Sequence, residues 1–351
     1  MRKVLFTLMG LAIIAAPAAA FHDGGVAHCN GCHTMHNSQD GVLVDGDSPL
    51  GNAWLLVDSS PSDVCIACHD HIEQTLGTDP LAPPPLKGAG NFVFLLEDNL
   101  NDGHGGATDP IPGDAAGHNL FAPGHGLAPD ATLTSAPGGT FPAAVLGCTS
   151  CHDPHGTTDF RFLYGARQVQ GGIATFTNPA PTAEGLSVFF GAESQALHTA
   201  YQGGMSAWCA NCHGDFHQEA GGRLEHPSGS ALGSVFQTYN LYNGTIDQLG
   251  GVAATAYLAE VPFEDATMTT TSTAGPTGSS QVSCVTCHRA HATSAPDAGR
   301  WDFSVTFLHE DGVESGSYAI PPPALATYQD LNQRSLCNKC HNKDAFDANP
   351  F

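Results

Sequence analysis

Pairs of cysteines followed at once by a histidine recur six times along this chain, in the spacing Cys-x-x-Cys-His. The motifs hold Cys29, Cys32 and His33; Cys65, Cys68 and His69; Cys148, Cys151 and His152; Cys209, Cys212 and His213; Cys284, Cys287 and His288; and Cys337, Cys340 and His341. They use all twelve cysteines of the sequence. Two thiols at this spacing bond to the porphyrin of a c-type haem, and the adjacent histidine is the first iron ligand.

Cysteine pairs also serve thioredoxin-like redox sites and zinc ribbons. Those sites call for one motif in a βαβ setting, or for two cysteine pairs that share one metal ion. Six copies, each with its own histidine and with no cysteine left over, favour a chain that binds six covalently attached haem c groups.

The second iron ligand decides function, because an iron with an open face can bind a substrate and one with two ligands only transfers electrons. Nineteen histidines are present and six belong to the motifs, so thirteen remain for this task. The methionines Met35, Met205 and Met268 are too few for six irons. We expect two histidines on every iron and therefore low reduction potentials. We also expect no catalytic residue and no enzyme activity; no Cys-x-x-Cys-Lys variant, a feature of many multihaem reductases, occurs.

Motifs one, three and five share two further histidines. One follows the motif histidine by three residues and the other precedes the motif, which gives the predicted second ligands His36, His155, His291, His22, His118 and His226. If the motif ends in a helical turn, the later histidine lies on the same helix face as the first ligand. It then caps a neighbouring haem and not its own. His71 and His217, just beyond motifs two and four, are the alternates.

The sequence predicts an amino-terminal signal peptide followed by one hexahaem domain. Residues 1–20 combine Arg2 and Lys3 with a short apolar run and small residues before Phe21, which is typical of a secretory signal peptide. Residues 21–351 then form three two-haem modules, 21–100, 101–225 and 226–351. No later apolar run is long enough for a transmembrane segment.

Composition predicts a mostly irregular fold with short α-helices and little β-structure, wrapped around a linear row of haems. Glycine (41) and proline (24) are frequent, and 34 acidic residues oppose 11 basic ones. A net charge of −23 argues against nucleic acid as a partner. Helices are predicted near 184–202, 247–260 and 324–342, short strands near 92–96 and 301–308, and a surface loop at 266–283.

The sequence around the motifs resembles the OmcS-type family of hexahaem outer-surface cytochromes from metal-reducing, Geobacter-like bacteria. The similar stretches are Phe21–Ala27, Thr34–Ser38, Gly117–Asn119, Cys151–Gly156, Gly204–Cys209, Leu224–Pro227, Cys287–His291 and Leu336–His341. The resemblance runs from about residue 21 to 344 and is far more specific than the haem motif alone.

The resemblance implies a secreted protein that passes through the periplasm to the cell outer surface and polymerises head to tail into an electron-conducting filament. His36 would then cap the fifth haem, on Cys284, Cys287 and His288, of the adjacent subunit, while His291 serves the third haem and His155 the first. Periplasmic and outer-membrane cytochromes would donate electrons, and metal oxides or partner cells would accept them. The alternative is a monomeric periplasmic or outer-surface electron carrier.

Overall fold

The chain consists of short elements joined by long irregular segments. The computed structural model describes residues 22, 28–77, 83–85, 87–96, 100–101, 110–111, 113–186, 192–217, 228–244, 250–303 and 336–341. The predicted signal peptide, residues 1–20, lies outside the described residues. In the described part, the helices are α1 (Cys29–Cys32), α2 (Pro61–Glu73), α3 (Cys148–Cys151), α4 (Met205–Cys209), α5 (Val235–Leu241) and α6 (Cys284–Cys287). Single 3-10 turns occur between them.

Strands are few and pair only within hairpins in the described part of the chain. The antiparallel pairs are β1 (Ser38–Gln39) with β2 (Val42–Leu43), β3 (Leu100–Asn101) with β4 (Pro110–Ile111), and β5 (Thr182–Glu184) with β6 (Ala200–Gly203). Buried side chains form four small clusters, the largest of which surrounds Tyr239, Tyr257 and Trp301. The predicted class, mostly irregular chain with short helices and little sheet, is confirmed.

Helix α2 has clear start and stop signals that the sequence reading missed. The Ser60 hydroxyl accepts a hydrogen bond from the backbone N–H of Asp63, and Pro61 occupies the first turn, where its missing N–H is harmless. The helix ends at Gln74, which adopts a left-handed conformation. With thirteen residues it is long enough to carry the whole second motif in one helix.

Several predicted elements are wrong. The predicted helix at 184–202 contains the end of β5 and the start of β6, and the described part of 247–260 holds only the turn Ala253–Thr255. The predicted strand at 92–96 is a 3-10 helix. Of the predicted strand at 301–308, residues 301–303 form no strand, and residues 304–308 lie outside the described residues. Of the predicted helix at 324–342, residues 336–341 are described, and they contain the 3-10 turn Leu336–Lys339.

The error at 247–260 has a physical reason. Tyr257, Leu258, Ala259 and Val261 are all buried, so neighbouring residues on opposite sides of the backbone pack inward together. Because the surroundings cover this segment on every side, its apolar residues do not mark one face. Their spacing therefore cannot distinguish a helix from an irregular segment. The segment 266–283 is irregular as predicted, but it is also anchored: the Thr270 carbonyl accepts from the His198 N–H, and the Thr273 carbonyl accepts from the Tyr257 N–H.

Candidate haem-binding sites

Each motif places its two thiols one helical turn apart. The cysteine pairs of motifs one, three and five bound the four-residue helices α1, α3 and α6, while motif two lies inside α2. Motif four begins at the end of α4, and motif six is the 3-10 turn Leu336–Lys339 with Cys340 and His341 directly after it. Residues three apart in a helical turn share one face. Both thiols of a motif can therefore reach the same edge of a porphyrin.

The histidines of motifs one, three and five are held by a repeated left-handed turn. Each turn carries two consecutive non-glycine residues with positive φ: Trp54 (55°) and Leu55 (59°), Arg161 (51°) and Phe162 (57°), Asp297 (59°) and Ala298 (54°). The carbonyl of the first such residue accepts a hydrogen bond from the motif histidine: His33 Nδ1 to Trp54 O at 3.0 Å, His152 Nδ1 to Arg161 O at 2.8 Å, and His288 Nδ1 to Asp297 O at 2.9 Å.

This hydrogen bond fixes the chemistry of the ring. A carbonyl oxygen only accepts, so Nδ1 carries the proton and Nε2 keeps its lone pair for a metal. Successive left-handed residues are unfavourable by about 1–2 kcal/mol each, and such strain concentrates at functional sites. His213 is oriented in the same way, because its Nδ1 donates to Pro137 O at 2.7 Å.

Three predicted second ligands face motif histidines across a gap of the right size. Two imidazoles that share one iron have ring centres roughly 6 Å apart, since each metal–nitrogen bond is about 2 Å long. The ring centres of His33 and His155 are 6.5 Å apart, those of His22 and His69 are 6.1 Å apart, and those of His118 and His213 are 5.9 Å apart. The residues present therefore fit haem held between two histidines.

His291 lies near the histidine of motif three. Burial, and after it the neighbouring His152, lowers the pKa of His291 to about 3. Its backbone N–H donates to Ala89 O at 2.7 Å, and its ring packs on Phe92 with centres 4.3 Å apart. A ring kept neutral in this way remains a base that a metal can use.

The remaining predicted ligand that the structure describes, His36, is not brought to another motif. His36 is exposed, and within the described residues no motif histidine faces it. The ring beside His288 in that part of the chain is Phe303, with centres 5.4 Å apart. His226 lies outside the described residues. Of the alternates, His71 is exposed in the last turn of α2 and His217 ends the turn Gly214–His217.

Thiols of consecutive motifs lie close together, so the motifs follow one another in space as they do in the sequence. The interacting thiols are Cys32 with Cys68, Cys65 with Cys148, Cys151 with Cys212, Cys209 with Cys284, and Cys287 with Cys337 and Cys340. Burial, followed by these neighbouring thiols, raises the pKa of Cys151 and of Cys287 to about 12. From motif one to motif five, contacts between the second cysteines of two motifs alternate with contacts between their first cysteines.

The two first-cysteine contacts share a hydrogen bond that we call the serine joint. Ser62 Oγ accepts from the backbone N–H of Cys148 at 3.1 Å, and Ser206 Oγ accepts from that of Cys284 at 3.2 Å. Each serine stands three residues before the first cysteine of motif two or four. The recurrence of Ser-x-x-Cys in these motifs was a usable sequence signal that the sequence reading missed.

Comparison with known proteins identifies the family. No protein-family model matches the chain. The C-type cytochrome OmcS of Geobacter sulfurreducens is 31% identical, over 97% of this chain and 99% of that cytochrome. The chain belongs to the OmcS family of c-type cytochromes. Two solved structures from the same organism, an Outer Membrane Cytochrome S filament and OmcS nanowires, match with TM-scores of 0.73 and 0.76. They are 28% and 29% identical, and each comparison covers 92% of this chain and all of the solved chain.

Membership of the OmcS family accounts for the shape of the sites. Haem that is bonded to a c-type cytochrome supplies reversible one-electron chemistry at its iron. The polypeptide supplies the thiol spacing, the orientation of the motif histidines and the approach of a second imidazole. Along the described residues, no helix combines the length and the apolar character needed to cross a bilayer.

Proposed function

We propose that the protein transfers electrons outside the cell along a row of six haems, and that its copies join head to tail into a conducting filament. The haems are held by the six motif histidines and by His155, His22, His291 and His118 on motifs one to four. His36 of an adjacent copy completes motif five, and we assign the remaining predicted ligand, His226, to motif six. The protein acts as an electron carrier and not as an enzyme.

Contacts between modules within the chain support this proposal. Motif three contributes His155 to motif one, and the carbonyl of Pro154 accepts from His22 Nδ1 at 3.1 Å. Motif five contributes His291, and the carbonyl of Ala290 accepts from His118 Nδ1 at 2.7 Å. Each later module thus offers the same two groups to the module before it: a carbonyl two residues after the motif histidine and an imidazole three residues after it.

In motif one, the first of the six motifs, the two corresponding residues are Met35 and His36. Motif five is the last of the three odd-numbered motifs. Its histidine, His288, lies beside Phe303 in the described residues and not beside a second histidine. If a second copy lies before the first, His36 of the first copy can reach motif five of the second. It would then play the part that His155 and His291 play within one chain. This contact joins two different surfaces, so it propagates as an open filament unless a rotation closes it.

The surface around His36 has the apolar character of an interface. Met35 is 74% exposed, Val42 68% and Trp54 67%, and Leu50 and Leu55 are exposed nearby. Large apolar side chains concentrated in one exposed region indicate a protein–protein contact. A neighbouring copy would bury them while its fifth motif receives His36.

The remaining parts of the proposal follow from the sequence. The leader at residues 1–20 directs the chain through the periplasm, where thioether bonds form, and the mature protein reaches the cell outer surface. Periplasmic and outer-membrane cytochromes supply electrons, and metal oxides or other cells accept them. The three pairs of motifs act as modules, which the repeated left-handed turns behind motifs one, three and five support.

The replacement His36→Ala tests the filament. Secreted H36A should carry six haems by mass, form no filaments under negative stain, and show one high-spin haem among low-spin ones. His28→Ala is the matched control, because His28 is also exposed and lies just before the same motif. H28A should assemble like the native protein.

Two results would reject parts of the proposal. Filaments of H36A with only low-spin haem would exclude His36 as the ligand between copies. Native protein that stays as single particles at every concentration tested would exclude the filament and favour the monomeric carrier.

A further inference from the structure

Two arginines are buried behind motif five in a chain that has only 11 basic residues. Arg289 is 3% exposed and Arg300 is 1% exposed. Arg289 directly follows His288, and the backbone N–H of Arg300 donates to Cys287 O at 2.7 Å. Both guanidinium groups therefore lie beside the residues that would hold the fifth haem. An arginine side chain stays protonated in proteins, so each is a fixed positive charge.

The two arginines differ in how their charge is balanced. Arg289 Nη2 donates to Glu260 Oε2 at 2.7 Å, and this carboxylate is also buried. Arg300 donates only to backbone carbonyls: Nε to Val285 O at 2.6 Å, Nη1 to Ala259 O at 3.1 Å and Nη2 to Gly88 O at 3.3 Å. Val285 stands between the two cysteines of motif five.

Glu264 is a further buried carboxylate near motif five; it lies near Cys284 and accepts a hydrogen bond from the backbone N–H of Met205 at 2.7 Å. Two other charged groups, Glu193 and Asp297, are closer to water. Glu193 is half-buried and accepts from the Thr199 N–H at 2.7 Å, while Asp297 is exposed. Solvent screens charges at such positions, whereas charges in the protein interior interact more strongly with each other. Arg300 therefore brings to this motif a buried positive charge that forms no ion pair among the described residues.

We propose that Arg300 is the residue that raises the reduction potential of the fifth haem. A buried positive charge stabilises the form with one more electron, because reduction lowers the positive charge on the iron. Charge near a haem is one of the means by which a protein sets its potential. An electron on the row therefore occupies the fifth position more often than it would without Arg300. This inference rests on the proposed electron-transfer function.

The test is a redox titration of Arg300→Met beside Arg300→Lys, followed by visible spectroscopy. R300M removes the charge and keeps an unbranched side chain in the space, so one of the six haems should titrate at a lower potential. R300K keeps a cation and should restore most of the native midpoint. Arg167→Met is the control, because that side chain lies near motif three but is 39% exposed and pairs with Asp153 and Asp159; its midpoint shift should be clearly smaller.

The variant Glu260→Gln tests whether buried charge behind motif five affects a haem midpoint at all. It removes the carboxylate that balances Arg289, so one midpoint should rise. Loosening of the site would admit water and lower the potential, so an upward shift cannot come from damage. If R300M fails to load six haems, Arg300→Gln takes its place, because glutamine keeps side-chain N–H donors without the charge.

Two results would overturn the role of Arg300: equal shifts in R300M and R300K, or no shift in a fully loaded variant that lacks the Arg300 charge. Filament formation is scored separately by negative stain. A failure of this inference therefore leaves an intact filament with unchanged potentials, and a failure of the filament leaves the titration readable on single subunits.

Discussion

The serine joint gives the sharpest test of how the haem motifs are held together. Ser62 is 1% exposed and Ser206 is 2% exposed, and each hydroxyl accepts the first N–H of the helix that opens the next motif. The first four N–H groups of a helix have no partner inside the helix. In Ser62→Ala the N–H of Cys148 loses its acceptor in a region that admits little water.

The expected size follows from that loss. An unsatisfied buried donor destabilises by about 1–3 kcal/mol, and removal of a helix-capping group typically by about 1 kcal/mol. We expect S62A and S206A each to lower the free energy of unfolding by about 1–2 kcal/mol. The two joints share no residue, so the double variant should lose about 2–4 kcal/mol, close to the sum.

Guanidinium unfolding of the haem-loaded protein, followed by the Soret band and by far-ultraviolet circular dichroism, measures these losses. Ser38→Ala is the control, since Ser38 is exposed in β1. Single variants that unfold at the same denaturant concentration as S38A would refute the reasoning, as would a double variant no less stable than either single one. Either result would mean that water or a shifted backbone replaces the serine hydroxyl.

Two further predictions concern the packing of motif four and the protonation of the buried histidines. Gly139→Ala should disrupt motif four, because the added Cβ would collide with the carbonyl oxygen of Cys212; we expect one haem to become high-spin, measured by visible absorption. Acid should destabilise the protein progressively, because burial lowers the pKa of His118 and, to about 3, that of His291, while free histidine titrates near 6.5. As pH falls below about 6.5 the unfolded chain binds protons first, so the free energy of unfolding should decrease down to about pH 3, measured by denaturant titration at pH 7, 5.5 and 4.

Matched outcomes decide both predictions. Gly46→Ala is the control for G139A, because nothing lies within 4 Å of the Cβ it would add. A fully low-spin G139A would contradict the close approach of Gly139 to Cys212. A free energy of unfolding that stays constant from pH 7 to 4 would mean that these histidines are not held neutral.

Local covalent chemistry was readable without a structure. A window of five residues contains everything needed to attach a haem, so the six motifs follow directly from the sequence. The histidines at His155 and His291 also stood out, because they repeat at a fixed distance from a motif. The predicted geometry of these histidines is wrong in detail. Helix α3 ends at Cys151 and His152 is extended, so His152 and His155 do not share a helix face.

The secondary structure was read less well, since the side chains that normally announce a helix are sparse here. The sequence prediction lacks helix α2, although Ser60 and Pro61 mark its start. It also places a helix in an Ala-rich run whose described residues, 250–260, contain only one 3-10 turn. Porphyrins would replace much of the usual apolar core, so hydrophobic periodicity carries little information. The left-handed turns at Trp54, Arg161 and Asp297 have no common residue type that could have revealed them.

The sequence by itself determined the attachment chemistry, the number of motifs and the surplus of histidines, because each is written within a few neighbouring residues. Only the tertiary structure decided which histidine faces which motif: His22 approaches His69, and His118 approaches His213. Those partners are far apart along the chain, and their meeting depends on carbonyls supplied by Pro154 and Ala290 from other modules. Long-range packing sets such distances, and no local pattern encodes them.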